Sequence, residues 1–190
     1  FGNLENFHNQ NCQYTVSLRG RVDGEGKILN RVITSVSDAV DAYTEYEKYM
    51  GLAEIDTLRF VVSNTTEAGI VFDATDKFEL NPPKTFPGKL TKFLYHRFET
   101  FKGDKDKGLV MLPVELIDDN GIMLHKCVLQ LIDLWGLGEE FKNWVEEACV
   151  FTSTLVDRII TGYPKATEEE EWAKLGYVDK CLVTGEPFAL

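Results

Sequence analysis

Leu58, Phe60, Val61 and Val62 make an apolar run of strand length, and Leu109, Val110, Met111, Leu112 and Val114 make a second. Each is followed by apolar residues at helical spacing. Leu90, Phe93, Leu94, Phe98 and Phe101, with Arg97 among them, follow the first, and Leu124, Cys127, Val128, Leu131, Ile132 and Trp135 follow the second. Phe141, Trp144, Val145, Ala148 and Cys149 form one further helical face. A period of two that gives way repeatedly to a period of 3.6 predicts α/β layering around a parallel sheet, because parallel strands need helical crossovers. The second run is nearly continuous, as expected of a strand covered on both faces, and its ladder is expected to stop or change edge at Pro113, which has no N–H to offer. The first run is likewise expected to be an interior strand.

Upstream, Tyr14, Val16 and Leu18 alternate along one strand face, and residues 27–33 offer a partner across Asp23, Gly24, Glu25 and Gly26, which predicts a β-hairpin. The Gly24-x-Gly26 pair lacks the third glycine and the following helix of a dinucleotide loop, so it reads as a turn. Val40, Tyr43, Tyr46, Glu47 and Met50 predict a helix of about three turns, capped by Ser37 and Asp38. After Pro164, Thr167 and the run from Glu168 to Glu171 predict the capped, solvated first turn of a short helix.

At 190 residues the chain suffices for one well-filled core, and one domain is expected. Its 31 acids against 20 bases leave a net charge of −11, which excludes a phosphate-backbone footprint and hence a nucleic-acid partner. Cys12, Cys127, Cys149 and Cys181 lie far apart with no Cys-x-x-Cys pair, so no metal site or disulfide framework is expected, and reduced thiols fit a cytoplasmic protein. No apolar stretch is long enough to span a membrane, and no signal peptide is recognisable. The first residue, Phe1, is not methionine, and the chain is expected to be a piece of a longer polypeptide.

Chemistry is expected where the strands end. Ser63, Asn64, Thr65, Thr66 and Glu67, before Gly69, supply donors and acceptors without bulk, suited to a ribose or a pyrophosphate at the carboxyl edge of a sheet. The bland alternative is a polar turn. Glu115, Asp118, Asp119 and Asn120 follow the second strand at the same expected edge, where acids can accept from substrate hydroxyls, although Asn120 and Gly121 alone would also suit a left-handed turn. Asp157 and Arg158, set between Leu155, Val156, Ile159 and Ile160, read equally as a salt bridge or as ligand contacts. The three histidines form no recognisable general-base pattern, and neither a G-x-S-x-G elbow nor a P-loop occurs.

Five separated motifs carry a resemblance. They are Tyr14 and Thr15 with Leu18, Arg19 and Gly20; residues 59–70; residues 86–91; residues 113–121; and residues 154–159. In that order they resemble the tagaturonate reductases (altronate oxidoreductases), a branch of the mannitol dehydrogenase family of long-chain polyol dehydrogenases. The resemblance implies a Rossmann-like domain, incomplete at its N-terminus and carrying the hairpin, with a mostly parallel sheet and helices on both faces. It implies one partial dinucleotide-binding domain over residues 1–190, whose tail at 164–190 leads toward a helical catalytic domain that is missing here. It also implies metal-independent, NAD-dependent interconversion of a hexonate and its keto acid, D-altronate and D-tagaturonate, in cytoplasmic carbohydrate metabolism.

By that resemblance Ser63, Asn64, Thr65, Thr66 and Glu67 are cofactor-side residues, and Asp157, Glu115 and Asn120 are substrate-side residues. The family's glycine-rich dinucleotide loop is not found in this sequence. Nor is its Lys-x-x-x-x-Asn-x-x-His helix, since Glu5, Phe93 and Ile122 stand three before the histidines. No catalytic residue is therefore assigned, and the isolated chain is expected to be inactive. Mannitol-specific relatives carry Asp-Asn where this sequence has Glu115 and Leu116, and Leu116 cannot donate a hydrogen bond, which fits the uronate branch. A fructuronate or mannitol reductase of the same family is the nearest alternative, and a non-catalytic α/β module that binds a nucleotide or a partner is the other. Expected partners are a small hexonate substrate and the missing domain, with no nucleic acid or membrane.

Overall fold

The computed structural model describes residues 4–22, 25–156 and 159–187. In chain order the elements are α1 (Leu4–Asn9), β1 (Tyr14–Val22), β2 (Glu25–Ile33), α2 (Tyr46–Gly51), β3 (Phe60–Ser63), α3 (Phe86–Thr100), β4 (Val110–Pro113), α4 (Asn120–Trp135), α5 (Glu139–Ala148), β5 (Val150–Phe151), β6 (Ile160–Gly162), α6 (Glu168–Leu175) and β7 (Val183–Gly185). They fall into two compact units, one of residues Phe1–Val40 with Asp157–Leu190 and the other of Asp41–Val156.

The first unit holds a four-stranded sheet in the order β2-β1-β7-β6. The expected hairpin is there and is longer than its sequence signal, pairing Tyr14 with Ile33 through to Val22 with Glu25. Strand β7, which alternation did not reveal, adds in parallel to β1. Asp179 anchors this arrangement from a buried position, accepting from the Thr15 amide (2.6 Å), Gln10 Nε2 (2.8 Å) and the Cys181 amide (2.8 Å). The acidic start of α6 is more than a solvated face. Glu171 pairs with Arg19 at 2.9 Å and with Lys174 at 3.0 Å, and Glu168 accepts from the Tyr163 hydroxyl. Thr167 makes no side-chain cap.

The second unit is the α/β layer that the alternation predicted. Strands β3, β4 and β5 are all parallel, in that order, with Val61 beside Met111 and Met111 beside Phe151. Leu94, Leu109, Met111, Leu124, Val128, Phe141 and Val145 are the centre of its core. Rings from α3 and α5 meet there: Phe98 lies 5.4 Å from Phe141 and 5.8 Å from Trp144. Helix α3 starts where Thr85 Oγ1 accepts from the Gly88 amide and Pro87 occupies its first turn. Arg97 is fully buried, and its guanidinium donates to the carbonyls of Ala53, Ile55, Leu58 and Lys107, fastening the approach to β3.

Three expectations change. Helical structure near residues 37–50 is confined to α2, because Asp38 accepts from the Ala39 amide and Asp41 from the Tyr43 amide, local turns that compete with a helix. Strand β3 is half covered, with Phe60 61% and Val62 63% exposed, as befits the edge of the three-stranded sheet. In the second βα loop the left-handed residue is Asp119 (φ 53°), whereas Asn120 and Gly121 begin α4. Pro113 does end its ladder.

Candidate functional site

The carboxyl ends of β3, β4 and β5 lie side by side, so three loops leave the same edge of the sheet: residues 64–69, 114–119 and 152–156. In a parallel sheet that edge is where ligands bind, since the loops there can diverge while the strands stay fixed. Two buried polar side chains tie the loops together.

Glu115 joins the first loop to the second. It is only 2% exposed; its Oε2 accepts from Ser63 Oγ at 3.1 Å, and its Oε1 accepts from the Thr65 amide (3.1 Å) and Thr65 Oγ1 (2.9 Å). The adjoining backbone continues the seam, the Val114 amide donating to the Ser63 carbonyl at 2.9 Å. These donors offset the cost of burying the carboxyl group, and the loop that provides them loses its freedom in return.

Asn120 joins the second loop to the third. It is completely buried, with Nδ2 facing the carbonyls of Thr154 (2.8 Å), Glu115 (3.0 Å) and Pro113 (3.1 Å), while its Oδ1 accepts from the Gly121 and Thr154 amides. Thr154 Oγ1 donates to the Pro113 carbonyl at 2.6 Å. Gly121 is required by the same seam: a Cβ there would stand 2.1 Å from the Thr152 carbonyl oxygen. Gly69 answers the first loop in the same way, where a Cβ would meet Thr65 Oγ1 at 1.9 Å.

The loop residues singled out from the sequence therefore divide by direction. Ser63 and Thr65 turn inward to Glu115, whereas Asn64, Thr66 and Glu67 are exposed. Glu115 and Asn120, expected to meet substrate, are engaged inside the protein and act by holding loops in place. Asp157 and Arg158 lie outside the described residues. Of the aliphatic residues that flank them in sequence, Leu155, Ile159 and Ile160 are solvent-exposed. Thr154, which opens the last of the five motifs but is assigned no role there, is the third loop's anchor; only its place beside Asn120 in space reveals that role.

The two histidines of this unit serve packing. His96 Nε2 meets Glu54 at 2.8 Å, and His125 stacks on Phe151 at 4.6 Å, where burial lowers its pKa. Among the described residues, no helix is long and apolar enough to cross a membrane.

Residues 4–190 match the family model described as the mannitol dehydrogenase Rossmann domain. The altronate oxidoreductase of Bacillus subtilis (strain 168) is 46% identical over 187 residues, covering 98% of this chain and 39% of that protein. That of Bacteroides thetaiotaomicron is 47% identical over 189 residues, covering 100% of this chain and 40% of its own length. Pseudomonas fluorescens mannitol 2-dehydrogenase, solved as a ternary complex with NAD and D-mannitol, superposes with a TM-score of 0.76 at 21% identity, over 97% of this chain and 38% of that one. A D-sorbitol dehydrogenase in substrate-free form gives 0.77 at 23% identity, over 97% and 39%. At these identities the structural likeness speaks for the Rossmann-like fold.

Proposed function

The chain belongs to the mannitol dehydrogenase family, matching its Rossmann domain, and from that premise we propose that it is the cofactor-side part of an NAD-dependent oxidoreductase interconverting D-altronate and D-tagaturonate. The observation that carries this reading is the 46–47% identity, over essentially the whole chain, to altronate oxidoreductases. The chain spans about two fifths of those relatives' length, so the domain is read as partial, with the base and the glycine-rich phosphate loop supplied by other sequence of the parent polypeptide.

The exposed side chains of the first loop support a ribose contact over a phosphate contact. The Asn64 amide and the Thr66 hydroxyl donate and accept, and the Glu67 carboxylate accepts from a sugar hydroxyl while repelling a pyrophosphate. When bound, the dinucleotide supplies the hydride chemistry; the residues here orient it. Ser63 and Thr65, held by Glu115, fix the loop so that Asn64, Thr66 and Glu67 are presented without further ordering. On the substrate side, the resemblance assigns Asp157 a direct polar contact, and Glu115 and Asn120 position the loops at the carboxyl edge of the three-stranded sheet.

The test is NADH oxidation by the full-length protein offered D-tagaturonate, D-fructuronate and D-fructose in parallel. Preference for tagaturonate is the expected result; preference for fructose, or no turnover with any of the three, overturns the assignment. The 190-residue chain by itself is expected to bind NAD weakly or not at all, and a micromolar dissociation constant by calorimetry would contradict the need for a separate phosphate loop.

A further inference from the structure

Helix α1 ends in a tight reversal that brings a thiol back over an imidazole. Asn11 and Cys12 both adopt left-handed backbone conformations (φ 51° and 58°), with the Cys12 amide donating to the Phe7 carbonyl and the Asn11 amide to the His8 carbonyl, each at 2.9 Å. His8 and Cys12 are thus neighbours four residues apart. The segment after β2 brings Asp38 to the same place. Single ligand atoms of His8, Cys12 and Asp38 all lie within 4.8 Å of one another, and His8 Nε2 is 3.6 Å from Asp38 Oδ1.

We propose that His8, Cys12 and Asp38 form a zinc-binding site in the first unit, built from residues separate from the loops described above. Four ligands at roughly 2.0–2.3 Å from a tetrahedral zinc are themselves roughly 3.2–3.7 Å apart, and the His8–Asp38 separation falls in that range. The thiol needs only a small closure, and the exposed His8 and Asp38 side chains have room to make it. Thiolate, imidazole and carboxylate together select a borderline-soft divalent ion over magnesium or calcium. A thiolate and a carboxylate neutralise the charge of Zn²⁺, and the Cys12 thiol releases one proton to solvent as its sulfur binds.

His8 Nε2 now stands 2.9 Å from the Ala39 carbonyl, and Asp38 Oδ1 accepts from the Ala39 amide at 2.8 Å. Metal binding moves the imidazole proton to Nδ1 and frees Nε2 for the ion, leaving the Ala39 carbonyl or a water as the fourth ligand. In sequence the set is inconspicuous: the spacing is His-x-x-x-Cys with the third ligand 26 residues further on, a pattern shared with many chance neighbours.

Cobalt(II) titration of the purified chain tests the proposal, since a cysteine ligand gives a thiolate-to-cobalt charge-transfer band in the near ultraviolet. The band should saturate at one equivalent, be displaced by zinc, vanish in Cys12→Ser, and require at least about tenfold more metal in His8→Ala and in Asp38→Asn. No band in the unmodified chain, or an undiminished band in Cys12→Ser, overturns it. A second measurement does not depend on the variants folding. Zinc alone should slow alkylation of Cys12 at least about tenfold while leaving the partly exposed Cys181 unchanged, as mapped by mass spectrometry. Equal rates at Cys12 with and without zinc overturn the site independently.

Discussion

Ser63 Oγ donates to Glu115 Oε2 across 3.1 Å, joining residues 52 positions apart in sequence at the ends of adjacent parallel strands. Through this bond and the two from Thr65, the second βα loop sets the shape of the first. Replacing Glu115 by alanine strands the buried Ser63 hydroxyl and the part-buried Thr65 amide, and the expected loss is about 2–4 kcal/mol in urea unfolding. On the proposed function, the same variant of the full-length protein should raise KM for NADH more than it lowers kcat. A stability change under about 0.5 kcal/mol would mean that the carboxylate does not hold the loop.

Gly121 faces the Thr152 carbonyl so closely that the contact is backbone to backbone, and no side-chain rotation relieves it. Gly121→Ala should cost about 2–4 kcal/mol, although alanine ordinarily favours a helix over glycine. A neutral or stabilising result in thermal unfolding would show that α4 and the strand exit can separate freely.

Arg97 satisfies four carbonyls from a fully buried position, and burial lowers its pKa from the usual arginine value without discharging it. Arg97→Met keeps much of the volume but leaves those acceptors unpaired. The expected cost is about 3–5 kcal/mol by denaturant titration. Arg97→Lys should recover less than half of it, because an ammonium cannot fork to four carbonyls.

Asp76 organises the turn before α3. Its carboxylate accepts from the amides of Lys77, Lys84 and Thr85 and from Thr85 Oγ1. Burial pushes its pKa upward, but the hydrogen bonds from Thr85, Lys84 and Lys77 outweigh it and hold the carboxyl below its ordinary value of 3.8. The folded pKa is depressed, so this contribution is complete above pH 3.8 and disappears as pH falls through the folded value. Asp76→Asn should be clearly less stable than the unmodified protein at pH 7, with the gap narrowing as pH drops below 4, on the order of the unfolded pKa. A gap that is constant with pH would remove the carboxylate from the account.

The parallel layer was legible because Leu109, Met111, Leu124 and Val128 repeat at the periods of a strand and a helix, and burial follows those periods directly. Strands β5, β6 and β7 were not legible, being two or three residues long, too short for any period. The helix expected across residues 37–50 shows the converse failure, where a periodic signal lost to Asp38 and Asp41, whose side chains bond nearby amides.

Within the candidate site, composition alone marked the loops that leave the carboxyl ends of the strands, since short polar residues after an apolar run have no use in a core. It did not tell the inward Ser63 and Thr65 from the outward Asn64, Thr66 and Glu67, nor show that Glu115 and Asn120 face their own chain. Local sequence determines the period of burial and the chemical character of each loop, both properties of residues a few positions apart. Which hydroxyl meets which carboxylate across 52 positions was decided only by tertiary structure, because strand adjacency and register set those distances and neither is written in any local pattern.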